Sequence, residues 1–349
     1  MRIAVDAMGG DNAPGAVISG SITAARDLGV EIILVGPRLQ VEEELARHAG
    51  APDFVVVDAP EVIEMHEPPA MALRRKKRAS IVVAVDLLRD RRVDAVMTAG
   101  HTGAAMGAAL LGLGRIKGVD RPALAVVLPT KTDHPAILLD VGANVDCKPH
   151  HLLQFALMGS VYASRVLRVD SPRVGVLSNG VEEGKGSELV VAATGLLRQS
   201  TLNFVGNVEA RDVFNGVADV IVCDGFVGNV TLKFGQGLSL AIRDIVKAEL
   251  RGWRGRLLML YAAPLAGKIR RLYRRIDYRE TGGAPLLGID GVVVVAHGSS
   301  NARAIRNAIR IAAETASEGF VHELRTRIPQ LGVGAQADAS PVSPKEISR

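Results

Sequence analysis

The sequence predicts an α/β fold built on a doubly wound, mostly parallel sheet. Six short apolar runs of β character each end in a loop rich in glycine, and a helix-type segment follows the loop. Glycine is also in excess, 37 of 349 residues, or about 11% against a usual level of about 7%. Alternating strands and helices of this kind put helices on both faces of a parallel sheet, with ligands at the carboxyl ends of the strands.

The first run, Arg2 to Met8, leads into Gly9-Gly-Asp-Asn-Ala-Pro14, and Pro14 is well placed to start a helix from Gly15 to Asp27. Val93 to Met97 leads into Thr98-Ala-Gly-His-Thr-Gly103, and Ile137 to Asp140 into Val141-Gly-Ala-Asn-Val-Asp146. Val174 to Leu177 leads into Ser178-Asn-Gly-Val-Glu-Glu-Gly-Lys-Gly-Ser187, and Val292 to Ala296 into His297-Gly-Ser-Ser-Asn301. The most informative run is Val220 to Cys223, which reads as a strand buried on both faces. It enters Asp224-Gly-Phe-Val-Gly-Asn229, where Gly225 and Gly228 are expected to leave backbone N–H groups open to an anion at a helix N-terminus. No exact repeat is visible. Residues 1–327 are therefore expected to form one large catalytic domain, with residues 328–349, mixed in Pro, Gly, Ala and Ser, as a disordered tail.

Net charge is +5, but it is unevenly placed. Eleven Lys/Arg face three acidic residues between Arg243 and Arg279, leaving the remainder of the chain acidic. Inside that segment Leu257 to Ala266 carries no charge and is flanked by Trp253, Arg256, Lys268, Arg270, Arg271 and Tyr273. Ten residues are too few to span a bilayer, yet an apolar tip with basic and aromatic shoulders suits an anionic lipid surface. The plainer reading is a helical hairpin that buries its apolar stripe in a dimer, and the two are compatible. Trp253, Leu257, Leu258 and Leu260 are the candidate membrane contacts. A second basic run, Arg74-Arg-Lys-Lys-Arg78, is either a solvated face or a dock for an acidic protein, with Arg74, Arg75, Lys76 and Lys77 the candidate contacts. Nucleic acid is disfavoured, because aromatic residues are only 3% of the chain and no recognised module accompanies the basic run. Cys147 and Cys223 match no disulfide or zinc spacing, and the chain opens on a strand carrying Asp6, which reads as cytosolic.

No phosphate-loop, nucleophile-elbow, zincin or well-placed dinucleotide motif is present. What remains is an anion pocket with few nucleophiles. Lys185, between Gly184 and Gly186, either stabilises an oxyanion or is an ordinary loop lysine. Asn229 either donates its amide to an oxyanion or caps a helix from Val230. Asp6, Asp11, Asp140, Asp146 and Asp224 sit at strand ends, where they orient donors, bind a metal or cap loops. His101 and His297 are phosphate ligands or neutral loop histidines. Cys223 reads as a core thiol.

Six segments carry a resemblance: Asp6-Ala-Met-Gly-Gly-Asp11, Asp140-Val-Gly-Ala-Asn144 with Asp146, Asn203 to Glu209, Cys223 to Asn229 with Leu232-Lys233, Gly282 to Gly288, and His297 to Ser300. In this order and spacing the chain resembles, nearly end to end, the bacterial phosphate acyltransferases of the PlsX type. The resemblance implies transfer of a fatty acyl group from acyl-acyl-carrier protein to inorganic phosphate, giving acyl phosphate for phospholipid synthesis, with no cofactor or metal. It implies a fold like that of phosphotransacetylases and isopropylmalate dehydrogenases, a homodimer, and peripheral membrane contact by an inserted helical hairpin at 238–280. A membrane glycerol-3-phosphate acyltransferase would receive the product. Catalytic weight falls on Lys185 and Asn229. Substrate and phosphate binding are expected of Asp6, Gly9, Gly10, Asp11, His101, Thr102, Asp140, Asn144, Asp146, Asn207, Asp224, Gly228, His297 and Ser299. Two departures stand out: His101 replaces the family's usual Asn, and Arg78-Ala-Ser80 replaces Asp-Ser-Ser. The rivals are an acyl-coenzyme A-dependent phosphotransacetylase, a metal- and NAD-dependent dehydrogenase, and a scaffold without turnover.

Overall fold

The computed structural model describes residues 1–132, 134–249 and 282–331. Among these, eleven strands form one sheet: β1 (Arg2–Asp6), β2 (Glu31–Gly36), β3 (Val55–Asp58), β4 (Ala95–Thr98), β5 (Ala123–Leu128), β6 (Ala136–Leu139), β7 (Arg173–Ser178), β8 (Asn203–Glu209), β9 (Val220–Val222), β10 (Gly283–Leu287) and β11 (Val293–Ala296). Their order is β3-β2-β1-β4-β11-β10-β5-β6-β9-β7-β8. Seven neighbouring pairs are parallel and three antiparallel, so the mostly parallel sheet is as expected.

The three antiparallel pairs, β11–β10, β10–β5 and β5–β6, stand together in the middle. Three reversals leave the two parallel halves running in opposite directions. The six glycine loops therefore do not gather at one edge: those after β1, β4 and β11 lie at one end of the strands, and those after β6, β7 and β9 at the other. β5 and β10, which cause the split, are not among the six strand-to-glycine-loop units of the sequence.

Helices α1 (Gly15–Leu28), α2 (Arg38–Ala46), α3 (Pro69–Arg75), α4 (Ser80–Arg89), α5 (Thr102–Gly112), α6 (Pro149–Arg165), α7 (Glu188–Gln199), α8 (Gly225–Glu249), α9 (Ala302–Ser317) and α10 (Phe320–Arg327) clothe both faces. Alternation along each strand divides the core by face. Ile3, Val5, Ile32 and Leu34 pack with α1 and α9, whereas Ala4, Ile33, Val35 and Val96 turn to α4 and α5 on the other face. In the second half Ile137, Leu139, Val174 and Val220 pack on α6, which is buried without a break from His151 to Ala163.

Residue 238, where the inserted hairpin is expected to start, lies inside α8, which runs from Gly225 to Glu249, and residues 250–280 of that expected hairpin lie outside the described residues. Trp253, Leu257, Leu258 and Leu260 lie outside the described residues. The chain also stays ordered past 327: Ile328–Leu331 forms a 3-10 turn anchored by buried Ile328, an apolar residue that composition had hidden among Pro and Gly. The remainder of the expected tail, 332–349, lies outside the described residues. No helix among the described residues is long and apolar enough to cross a membrane.

Candidate active site

Three loops meet backbone to backbone at the first edge. Gly9 has no room for a side chain, since a Cβ would lie 2.6 Å from the Gly100 nitrogen. Gly10, at φ +100°, sits where a Cβ would be 2.8 Å from the Gly298 carbonyl oxygen, and Asp11 N–H donates to that oxygen at 2.8 Å. Asp6 anchors the group from below. Its buried carboxylate accepts from Thr98 Oγ1 at 2.7 Å and Met8 N–H at 3.2 Å, while Thr98 Oγ1 accepts Gly100 N–H at 3.0 Å. Burial raises the Asp6 pKa, partly offset by hydrogen bonds from Ser80, Thr98 and Met8. A small cleft opens beside it, lined by Asp6, Gly9, Ile63, Ser80, Thr98 and His101. His101 caps α5, its Nδ1 accepting Gly103 N–H at 3.0 Å, and Thr102 is the exposed first residue of that helix.

At the second edge Asp140 organises a tight loop. The carboxylate is fully buried and accepts from Leu124, Gly142 and Ala143 N–H at Oδ1 and from Asn144 N–H and Nδ2 at Oδ2. Those five donors keep a carboxylate in place although burial raises its pKa. Asn144 spends its other amide hydrogen on the Pro122 carbonyl, and Asp146 is exposed. Asp224 caps α8 by accepting Val227 N–H at 2.9 Å.

Gly225 and Gly228 serve close packing, and their N–H groups, expected to be open to an anion, are spent on carbonyls. Gly225 N–H donates to the Asn144 carbonyl, and Gly228 N–H closes the first helical turn on the Asp224 carbonyl. A Cβ on Gly225 would stand 2.6 Å from Asn144 O, and one on Gly228 1.9 Å from Asp140 O. The helix thus begins at Gly225, so Asn229 is in its second turn, exposed, and cannot be the cap of a helix from Val230. It faces Gly142, which would bring a Cβ within 3.8 Å of its side chain.

α8 joins the two edges. Residues four apart share a helix face, about 6 Å along the axis. Lys233 follows Asn229 by that interval, and its Nζ lies 3.1 Å from His297 Nε2 in the loop after β11. Eight residues of helix, roughly 12 Å, match the length of a four-residue strand. Hence α8 starts at the Asp140 loop and reaches the Gly10–Gly298 loops. His297 Nδ1 accepts Ser299 N–H at 3.2 Å and lies 2.9 Å from Ser299 Oγ. Desolvation and then the Lys233 charge lower the His297 pKa, against a smaller pull from Asp11.

Comparison with known proteins decides what this arrangement belongs to. Residues 1–323 match a family described as fatty acid synthesis proteins. A phosphate acyltransferase of Pelotomaculum thermopropionicum is 51% identical over 334 residues, 95% of this chain and 96% of its own. One from Heliobacterium modesticaldum is 52% identical over 332 residues, 94% of this chain and 98% of its own. The chain belongs to the phosphate acyltransferase family. Like its family it is an acyltransferase. Among solved structures, a phosphotransacetylase from Streptococcus pyogenes superposes with TM-score 0.61 at 16% identity, covering 91% of this chain and 94% of its own. A 4-hydroxythreonine-4-phosphate dehydrogenase from Klebsiella pneumoniae gives 0.53 at 15% identity, covering 91% and 98%. Both share the fold.

In this phosphate acyltransferase family member, Lys185 sits exposed in the loop after β7, at the same edge as the start of α8. Asn207 braces that loop by donating from Nδ2 to the carbonyls of Glu182, at 3.1 Å, and Lys185, at 3.3 Å. Two residues receive no role in the sequence reading. Lys233 enters it only within the segment Cys223 to Asn229 with Leu232-Lys233 that carries the resemblance. Ser178, at the end of β7, has a buried hydroxyl with no hydrogen-bond partner, next to Gly186 of the Lys185 loop, and no sequence pattern marks it.

Of the basic run, Arg74, Arg75 and Lys77 are exposed. Lys76 turns inward, giving hydrogen bonds to Glu67 and the Val62 carbonyl, both 2.6 Å, which removes it from a docking face. Among the described residues Asp120, His150 and His151 lie close enough to share an ion. His151 Nδ1, however, accepts Lys148 N–H at 3.0 Å, so the proton of the neutral ring is on its other nitrogen, leaving no ring lone pair for an ion. Cys223 is buried as expected, and burial pushes the Cys147 thiol up to about 12, so neither is poised as a thiolate.

Proposed function

We propose that the enzyme transfers a long-chain acyl group from acyl-acyl-carrier protein to inorganic phosphate, releasing an acyl phosphate for phospholipid synthesis. The observation that carries this reading is the bridge made by α8, which joins Asn229 at one loop cluster to Lys233 at the other in a chain half identical to phosphate acyltransferases. Phosphate is already an anionic nucleophile, so the protein needs only to desolvate it, align it and stabilise charge. A phosphate oxygen attacks the thioester carbonyl carbon, the C–O bond forms, and the carbonyl electrons collect as an oxyanion. Collapse breaks the C–S bond, and the carrier's thiolate leaves and takes a proton from water.

Lys185 and Asn229 are assigned to the oxyanion. Phosphate falls to the first-edge loops, with Gly9, Gly10, Asp11, His101, Thr102, His297 and Ser299. The internal bonds of Asp6, Asp140, Asn144, Asn207 and Asp224 support a positioning role for them, and Gly228 acts by letting α8 approach. Arg74, Arg75 and Lys77 offer positive charge to the acidic carrier protein. The exposed apolar stripe of α8 supports a homodimer. The basic segment that follows, with Trp253, Leu257, Leu258 and Leu260, is assigned to an anionic membrane, where a poorly soluble acyl phosphate would pass to a glycerol-3-phosphate acyltransferase.

Phosphorus NMR of the protein with long-chain acyl-acyl-carrier protein and phosphate tests the reaction. An acyl phosphate resonance is expected from the wild type and not from Lys185→Ala. Signal only with acyl-coenzyme A would overturn the donor, and signal with neither donor the reaction. Leu258→Glu with Leu260→Glu should abolish flotation with anionic vesicles; undiminished flotation would remove the membrane assignment.

A further inference from the structure

Lys76 follows α3 with φ −99° and ψ 76°, outside the helical range, and its side chain turns back while Arg74, Arg75 and Lys77 stay exposed. Its ammonium donates to the Val62 carbonyl and to Glu67 Oε2, both at 2.6 Å. The same Glu67 oxygen accepts Glu64 N–H at 2.8 Å, and Glu67 N–H donates to the Glu64 carbonyl at 3.1 Å. The Lys76 hydrogen bond first, and the Glu64 N–H second, hold the Glu67 carboxyl below its usual value. One ammonium thus ties both ends of the segment Val62 to Glu67.

That segment is a wall of the first-edge cleft. Val62 and Ile63 line the cleft together with Asp6, Gly9, Thr98 and His101. Further along, the Met65 methyl lies 3.5 Å from where a Cβ of Gly298 would stand, and Pro69 fills the space beside Gly103 at the start of α5. Before the wall, Glu61 N–H donates to the Arg78 carbonyl at 3.4 Å and the Glu61 carbonyl accepts Ser80 N–H at 3.0 Å. The chain from Glu61 to Pro69 is therefore a strap against the loops after β1, β4 and β11, pinned at its two ends by neighbours and between them by Lys76. It turns two apolar side chains toward a cleft whose other residues include a carboxylate, a hydroxyl and an imidazole. An apolar wall expels water, which strengthens the electrostatic interactions inside and keeps water from reacting in place of substrate.

We infer that Lys76 is a positioning residue, which fastens the strap so that Val62 and Ile63 close the first-edge cleft to water. This rests on the reading of the first edge as the phosphate side of the site. It gives Lys76 a role apart from the docking assigned to Arg74, Arg75 and Lys77. It also makes the strap decide which nucleophile takes the acyl group. Phosphate attack on the thioester carbonyl breaks the C–S bond and gives acyl phosphate and the carrier thiol; water attack breaks the same bond and gives fatty acid and the same thiol.

The test combines amide hydrogen exchange with the ratio of acyl phosphate to fatty acid formed in the first turnovers from acyl-acyl-carrier protein. Both products start from the same bound donor, so weaker docking alone leaves the ratio unchanged. In Lys76→Met, loss of the charge-assisted bonds should speed exchange at the Glu64 and Glu67 amides by about tenfold, and Lys76→Arg should recover part of it. Inorganic phosphate should slow exchange across residues 62–65 of the wild type but not of Lys76→Met, and the product ratio should fall in Lys76→Met. Glu67→Gln reaches the same bonds from the strap and answers the question if Lys76→Met does not fold. Unchanged exchange at Glu64 and Glu67 overturns the fastening. Faster exchange with an unchanged product ratio and unchanged protection by phosphate overturns the role in the site. A wild type that makes no acyl phosphate would sink the acyl-transfer reading alone, because protection of residues 62–65 by phosphate reads the strap without turnover; no such protection in the wild type overturns the strap.

Discussion

Gly228 and Asp140 touch through their backbones: a Cβ on Gly228 would lie 1.9 Å from the Asp140 carbonyl oxygen. That contact sets how closely α8 docks on the loop after β6, and α8 carries Asn229 and Lys233. Gly228→Ala must push the helix away. Overpacking of this kind costs about 1–3 kcal/mol, and a shift of about 1 Å at reacting groups costs about a hundredfold in rate. A melting curve and steady-state turnover are the measurements; a Gly228→Ala protein with wild-type turnover would show that α8 does not position the site.

Asp140→Asn tests the loop itself. The amide keeps one acceptor oxygen but sets an NH2 group against one set of donors, either the three at Oδ1 or the two at Oδ2. Each buried donor left without an acceptor costs about 1–3 kcal/mol. The variant is expected to melt several degrees lower and to lose protection from hydrogen exchange at Gly142, Ala143 and Asn144. Unchanged exchange at those amides would contradict the anchoring role.

The outer face of α8 predicts an oligomer. Phe226, Val230, Phe234, Leu238, Ile242 and Ile245 recur every three or four residues, and Phe234 is 71% exposed. Burying such a side chain contributes about 1.5–3 kcal/mol, and a two-fold interface counts it twice. Phe234→Glu should weaken the dimer by about a hundredfold or more in sedimentation. A wild type that sediments at its chain mass of 36.9 kDa would remove the interface altogether.

Both thiols should be inert in the native enzyme. Burial, then the Asp140 and Asp224 charges, raise Cys147 to about 12 and raise Cys223 as well. At pH 8 a thiol with that pKa is about one part in ten thousand thiolate. Iodoacetamide is expected to leave native mass and turnover unchanged, whereas the unfolded chain should gain two adducts, one for each free cysteine. Rapid native alkylation at Cys147 with loss of turnover would place that thiol in the site.

Much of this molecule is written locally. The six strand–loop–helix units, the burial of Val220 to Val222 and the core thiol of Cys223 follow from apolar runs and glycine loops, because each is decided within about ten residues. The family is legible too, since its motifs are contiguous. What the loops do with their glycines is not local. Gly225 and Gly228 look like anion-binding positions until the Asp140 loop, more than eighty residues away, is seen to press against them. The start of α8 at Gly225 follows from the Asp224 cap and that packing, which is why Asn229 is a helix residue and not a cap.

The sequence by itself determined the class of fold, the family and the set of polar residues at strand ends. Only the tertiary structure decided that these residues form two clusters on opposite edges, because β10 and β5 reverse the sheet between them. It also decided the meeting of Lys233 with His297, 64 residues later in the chain. Strand order and helix path are settled by packing summed over the whole core, and no window of sequence contains that sum.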